Sequence, residues 1–179
     1  FTRKFQMPDN SLATRIDGYY IRSAQPSDCG QILAFIKDLA EYEKLSHEVV
    51  ATEEALLKTL FGEDPRAEVI LGIYKGQTVG FAIFFHTYST FLAESGLYLE
   101  DLYIVPKWRG RGFGSEIVCY LAYLADKRGC ARMEWSVLDW NEPALKVYRL
   151  LGAKPMKDWT VHRLVGDHLQ KLAKSFKSN

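Results

Sequence analysis

A glycine-rich segment between two regular patterns constrains the fold of this chain most. Residues 109–115 read Arg-Gly-Arg-Gly-Phe-Gly-Ser. The preceding run, 97–105, is rich in strand-forming residues and stops at Pro106, which cannot donate to a strand ladder. Apolar residues at helical spacing follow as far as Arg128. The sequence therefore predicts a strand, a tight glycine loop and a helix in direct succession.

Such a loop suits an anionic group. Gly110, Gly112 and Gly114 permit positive φ and close approach of a ligand to the backbone. The first N–H groups of the following helix favour negative charge, and Arg109 and Arg111 add cations that match phosphate oxygens. We therefore predict a pyrophosphate site.

Two common phosphate-binding motifs do not match the spacing of this loop. A P-loop needs a lysine after its last glycine, and none follows here. The dinucleotide fingerprint needs a third glycine where Ser115 stands. A plain tight turn with solvated arginines remains the structural alternative.

Composition excludes several protein classes. The 179 residues carry 23 Lys and Arg against 22 Asp and Glu, so the net charge of +1 argues against nucleic-acid binding driven by bulk charge. The sequence contains no run of about 18 apolar residues, so it predicts no membrane-spanning helix. Three cysteines without CxxC spacing and four histidines without HExxH predict neither a disulfide scaffold nor a metal site. We expect a cytoplasmic protein that binds no membrane.

The chain is predicted to hold one α/β domain. Residues 1–18 show no sustained period and are predicted to be a mobile tail, followed by a single domain over 19–179. The expected order is β-α-α-β-β-β-α-β-α-β, which forms a mixed sheet. The predicted strands are 19–23, 69–74, 79–86, 97–105, 133–138 and 159–165, and the predicted helices are 28–43, 53–61, 113–128, 142–151 and 167–176.

The glycine loop also resembles a known motif. Written as Arg/Gln-x-x-Gly-x-Gly/Ala, residues 109–114 are similar to the acetyl-CoA loop of the GCN5-related N-acetyltransferases (GNAT). Within that family, several segments resemble the diamine (spermidine/spermine) and thialysine acetyltransferases. These segments are Leu39-Ala-Glu-Tyr-Glu43, Tyr98-Leu-Glu-Asp101, 109–117 and Asp139-Trp-Asn-Glu-Pro143. The resemblance implies a mostly antiparallel mixed sheet that splays between its fourth and fifth strands, with helices on both faces.

The resemblance also implies a reaction and a cosubstrate. It implies transfer of an acetyl group from acetyl-CoA to a primary amine of a small cationic substrate, and a homodimer. The backbone of one strand would hold the pantetheine arm, the glycine loop the pyrophosphate, and a second helix start another part of acetyl-CoA. The implied residues are Leu102, Tyr103, Ile104, Arg109, Gly110, Arg111, Gly112, Phe113, Gly114, Ser115, Asn141, Pro143 and Ala144.

Catalytic residues follow from the same resemblance. Glu100 would help to deprotonate the amine, and the Tyr148 phenol would protonate the departing thiolate. Tyr42, Glu43 and Glu100 are expected to contact the substrate. Strand alternation predicts Glu100 and Asp101 on opposite faces, which leaves Asp101 as a structural carboxylate. The absence of a cysteine from the motif favours direct transfer over an acetyl-enzyme.

One departure leaves the acceptor open. The polyamine enzymes carry Glu-Gly-Trp-Arg before the final strand, whereas this chain has Lys157-Asp-Trp-Thr160. A protein lysine or N-terminal acetyltransferase is the alternative among acetyltransferases. A non-catalytic acyl-CoA sensor and an enzyme acting on nucleotide phosphates are the alternatives from other classes.

Overall fold

A computed structural model describes residues 11–176 of the chain. The chain divides into two compact units, Phe1–Leu138 and Asp139–Asn179. No helix among the described residues is long and apolar enough to cross a membrane.

The first unit contains a mixed sheet in which neighbours in the chain are neighbours in the sheet. Over the described residues the order is β1-β2-β3-β4-β5-β6, antiparallel except for the parallel pair β5 and β6. The strands are β1 Ser11–Ala13, β2 Tyr19–Ser23, β3 Glu68–Tyr74, β4 Gln77–Ser89, β5 Glu94–Ile104 and β6 Arg132–Trp135. The predicted mixed and mostly antiparallel sheet is confirmed.

Helices cover both faces of this sheet, as predicted. On one face, α1 (Cys29–Tyr42) and α2 (Glu53–Phe61) share an apolar cluster with Leu71, Phe81 and Tyr103. On the other, α3 (Phe113–Lys127) packs its apolar stripe against residues such as Leu97 and Leu99. Burial on both faces makes the central strands nearly continuous apolar runs.

Local signals placed the β3–β4 hairpin and α2 correctly. Lys75 and Gly76 both have positive φ, 48° and 80°, which a two-residue hairpin turn of the primed type requires. At the start of α2, Thr52 caps the helix by accepting a hydrogen bond of 3.1 Å from the Ala55 N–H.

The prediction of a tail over residues 1–18 is wrong for its second half. Ser11–Ala13 pair with β2 as an edge strand, and the side chain of Thr14 donates to the Tyr19 carbonyl at 2.8 Å. A strand of three residues is too short to show a hydrophobic period, so the sequence pattern did not indicate it. Residues 1–10, the rest of the predicted tail, lie outside the described residues.

The sheet opens between β5 and β6. These two strands pair only over Gly96–Leu99 and Arg132–Trp135, although β5 continues to Ile104. Beyond Leu99, within the described residues, no strand pairs with β5 on the side away from β4. This opening is the splay that the resemblance implied, since β5 and β6 correspond to its fourth and fifth strands.

The second unit contains two helices, α4 (Glu142–Leu150) and α5 (Gly166–Lys174). The predicted strand over 159–165 is wrong: these residues form no strand, and the sheet of the described residues ends at β6. Trp159, Val161 and Val165 have strand propensity, but a strand forms only with a partner that shares its ladder hydrogen bonds.

Candidate active site

The glycine loop adopts a backbone that only glycine accommodates easily at two positions. Gly110 and Gly112 have φ of 75° and 84°, in the left-handed region. A Cβ on Gly110 would meet nothing within 4 Å, so open space lies beside the loop. Gly114 already belongs to α3 and has no positive φ, which corrects the expectation that all three glycines are needed for that reason.

Phe113 anchors the loop to the core at the first position of α3. Its buried ring stacks on the Tyr19 ring at a centroid distance of 4.2 Å, and the Tyr19 hydroxyl donates to the Phe113 carbonyl at 3.3 Å. The first helical hydrogen bond of α3 runs from the Glu116 N–H to the Gly112 carbonyl. The earlier N–H groups of the helix have no acceptor within it, and they are those suited to phosphate oxygens.

The two loop arginines lie on aromatic rings. The Arg109 guanidinium sits 4.6 Å from the Tyr42 ring centroid and 5.5 Å from that of Tyr103. Its Nε donates to the Ile104 carbonyl at 2.9 Å. Arg111 lies 4.8 Å from the Trp108 ring centroid. Arg109 therefore joins the glycine loop to the end of α1, where the substrate residues were expected.

A β-bulge in β5 changes the expected arrangement of the acidic pair. Leu99 lies opposite Phe84 but Asp101 opposite Ile83, so Glu100 is an extra residue in the ladder. The face that packs on α3 accordingly shifts from Leu99 to Leu102. The strict alternation predicted for Glu100 and Asp101 is therefore wrong, because the bulge adds one residue between the two halves of β5.

The bulge leaves Glu100 exposed and Asp101 half-buried. Asp101 follows the face of Tyr103, which belongs to the apolar cluster of α1. Burial, followed by the negative charges of Glu100 and Glu43, raises the pKa of Asp101 to about 6. Asp101 is thus a carboxyl able to exchange a proton near neutral pH.

The end of α1 completes this acidic site. Burial raises the pKa of Glu43, the residue that caps the C-terminus of α1. The next residue, Lys44, has a positive φ of 62°, and the Leu45 N–H donates to the Ala40 carbonyl at 2.7 Å. This Schellman arrangement ends the helix and turns the chain away directly after Tyr42 and Glu43. The structure thus brings Tyr42, Glu43 and the acidic part of β5 to one region.

The second unit holds the remaining predicted residues. Asn141 caps α4 by accepting a hydrogen bond of 3.4 Å from the Ala144 N–H, and Pro143 lies in the first turn, where its missing N–H costs nothing. Burial raises the pKa of Tyr148 on the same helix. Its phenol is therefore protonated at neutral pH and chemically able to donate.

The sequence matches proteins of known family. Residues 33–153 match the Acetyltransferase (GNAT) family. The chain belongs to this family. It is 40% identical over 164 residues to thialysine N-epsilon-acetyltransferase of Mus musculus, covering 86% of this chain and 96% of the relative. It is 33% identical to L-ornithine N5-acetyltransferase NATA1 of Arabidopsis thaliana, covering 86% of this chain and 87% of the relative.

Solved structures agree with the GNAT fold. An integron cassette protein from the mobile metagenome of V. cholerae superposes with a TM-score of 0.74 at 25% identity, covering 88% of this chain and 99% of that one. A possible acetyltransferase from Clostridium difficile 630 has a TM-score of 0.70 at 18% identity, covering 85% and 100%. This chain is an acetyltransferase of the GNAT family, close to the thialysine enzymes.

Sequence reasoning missed two features of this candidate site. It assigned Asp101 a structural role, although the raised pKa lets this carboxyl exchange a proton near neutral pH. It also missed the contact between Arg109 and Tyr42. The burial of Asp101 depends on the bulge, which no local pattern announces; the Glu-Asp pair in an apolar strand was the one available signal.

Proposed function

We propose that this chain transfers an acetyl group from acetyl-CoA to a primary amine of a small cationic substrate, namely a diamine, a polyamine or a thialysine-like amino acid. The observation that carries the proposal is the acidic site formed by Glu43, Glu100 and Asp101 beside the opening of the sheet. Named relatives act on thialysine and L-ornithine, which carry such amines.

The residues present fit acetyl-CoA. Gly110 leaves open space beside the loop, and the N–H groups at the start of α3 suit a pyrophosphate. From Glu100 onward, β5 offers backbone edge to an extended pantetheine arm, as to an added strand. We assign Leu102, Tyr103 and Ile104 to that arm, 109–115 to the pyrophosphate, and Asn141, Pro143 and Ala144 to another part of acetyl-CoA. When bound, acetyl-CoA supplies the thioester that an amine attacks.

The carboxylates would prepare the amine. An alkylamine with a pKa of about 10.4 arrives protonated at neutral pH, so it must be attracted and then deprotonated. Glu100, exposed at the bulge, would bind the ammonium group together with Glu43 and Tyr42. Asp101, with a pKa of about 6, suits acceptance of the proton, because a base works best when its pKa lies near the working pH.

Tyr148 would complete the reaction. A phenol whose pKa is raised by burial stays protonated, so it can donate a proton to the thiolate as it leaves. We expect Tyr148→Phe to lower kcat by about 10²-fold or more while leaving the Kd for acetyl-CoA within about twofold, because general acid catalysis typically contributes this much. An unchanged kcat would remove Tyr148 from the mechanism.

Thiol release from acetyl-CoA tests the proposed function. The acceptors are putrescine, spermidine, L-ornithine, thialysine, lysine and a histone-tail peptide. Turnover on small diamines or amino acids supports the proposal, whereas turnover on the peptide alone assigns the chain to protein acetylation. Binding of acetyl-CoA without turnover on any acceptor would identify a sensor.

The same assay separates the two acidic residues of β5. In the unchanged chain, kcat/KM should rise with an apparent pKa of about 6 as Asp101 loses its proton. Asp101→Asn should abolish that limb, whereas Glu100→Gln should raise KM for the amine and keep the limb. Loss of the limb in Glu100→Gln alone would make Glu100 the base, as the sequence predicted.

A further inference from the structure

The connection between β1 and β2 lies against the first turn of α3. The Arg15 backbone N–H donates to Glu116 Oε2 at 3.1 Å, and its side-chain Nε donates to Oε1 at 2.8 Å. The adjacent Ile16 reaches the glycine loop, since its Cδ1 lies 3.3 Å from where a Cβ on Gly112 would stand. Two successive residues therefore hold this connection against the element that carries the loop.

Glu116 is an unexpected neighbour for a phosphate site. It is the fourth residue of α3, so its Cα lies about 4.5 Å along the helix axis from that of Phe113. Its side chain is only 11% exposed, so water screens its charge poorly. A carboxylate in the first helical turn stabilises the helix, but it repels a second anion bound at the same end. That repulsion acts within the Debye length of about 8 Å.

Arg15 neutralises this carboxylate. Besides the two hydrogen bonds, its Nη2 lies 2.7 Å from Glu116 Oε1, and it also donates to the Cys119 sulfur at 3.4 Å. The guanidinium itself is 75% exposed, so the ion pair contributes little to folding on its own. The larger effect of Arg15 is to offset the negative charge of Glu116 beside the glycine loop.

We propose that Arg15 is a positioning residue for the acetyl donor, acting through Glu116. It cancels the carboxylate charge at the start of α3, beside the glycine loop. The proposal rests on the proposed function, because it requires a pyrophosphate at the glycine loop.

Calorimetric titration with acetyl-CoA tests this role in four proteins: the unchanged chain, Arg15→Ala, Glu116→Gln and the double variant. Arg15→Ala should raise Kd about 3- to 10-fold, as expected for one uncompensated charge at short range. The double variant should return to within about twofold of Glu116→Gln, since no charge is then left unpaired. Salt at about 0.5 M should shrink the effect of Arg15→Ala.

A matched control uses the other end of the same helix. Arg128, the C-terminal cap of α3, pairs with Glu68 through Nη2 at 2.8 Å. The 15 residues of α3 span about 22 Å, beyond the Debye length, so Arg128→Ala should leave Kd unchanged.

Several results would overturn the role of Arg15. One is an unchanged Kd for acetyl-CoA in Arg15→Ala, and another is a double variant that binds acetyl-CoA as weakly as Arg15→Ala does. A third is weaker acetyl-CoA binding by Glu116→Gln than by the unchanged chain. The double variant distinguishes an effect of charge from an effect of packing. Glu116→Gln removes the unpaired charge that Arg15→Ala leaves, but it cannot replace packing that the Arg15 side chain provided. Failure of the unchanged chain to bind acetyl-CoA would instead overturn the proposed donor.

Discussion

At the scale of single residues, Asp101 carries a free-energy cost that its position in β5 explains. The bulge at Glu100 turns it toward the α1 face, where burial and two neighbouring carboxylates raise its pKa from about 3.8 to about 6. The folded chain therefore binds this proton more tightly than the unfolded chain does. The contribution of Asp101 to stability is fully present below pH 3.8, declines as pH rises through 6, and is lost above it.

Replacing Asp101 should consequently stabilise the folded chain at neutral pH while it impairs turnover. We expect Asp101→Asn to raise the free energy of unfolding by about 2 kcal/mol at pH 7.5, because a shift of two pKa units corresponds to about 2.7 kcal/mol before packing losses. The gain should vanish near pH 4. Urea unfolding at both pH values measures it. Asp64→Asn, which removes an exposed carboxylate, is the control, and an equal gain in both variants would contradict the explanation.

At the scale of elements, two glycines of the glycine loop have different backbone requirements, although the sequence motif contains them both. Gly112 needs its left-handed backbone and has Ile16 close by, whereas Gly114 lies inside α3 with ordinary φ. A Cβ on Gly114 would stand 3.6 Å from Ile104 Cγ1, an ordinary contact. The two glycines should therefore respond differently to the same substitution.

Alanine substitution tests this difference. Gly112→Ala should lower the free energy of unfolding by about 1–2 kcal/mol, because an L-residue in the left-handed region costs about this much, and it should weaken acetyl-CoA binding. Gly114→Ala, the matched variant, should keep or raise stability, because alanine is the better helix former. Thermal unfolding and calorimetry measure both. Similar losses of acetyl-CoA affinity in the two variants would show that close approach to the donor, and not backbone conformation, requires both glycines.

The elements also show which features a sequence can predict. Thr52 before α2 and Lys75-Gly76 in the hairpin act through hydrogen bonds and dihedral angles of their immediate neighbours, so these elements were predicted correctly. Other features depend on strand pairing, which no local pattern specifies. They are the bulge at Glu100, the pairing of Ser11–Ala13 with β2 and the absence of a strand over 159–165. The sequence could indicate candidate site residues, but it could not indicate the burial that raises the pKa of Asp101.

At the scale of the whole molecule, the two units divide the predicted machinery. The first unit contains both apolar clusters, the glycine loop and the acidic end of β5. The second contains Asn141 and Tyr148. A donor that binds only the folded chain stabilises that chain by mass action, irrespective of which residues contact it.

Acetyl-CoA at about 100 times its Kd should therefore add about 2.7 kcal/mol to the free energy of unfolding. For a chain of 179 residues this raises Tm by about 5–10 °C. ATP at the same concentration should raise Tm much less, because it offers phosphates to the glycine loop but no pantetheine arm to β5. Thermal unfolding measured with each ligand makes the comparison, and Gly112→Ala should reduce the shift with acetyl-CoA. An equal shift with ATP would show that the loop recognises phosphate alone and that the proposed pantetheine site on β5 adds nothing to binding.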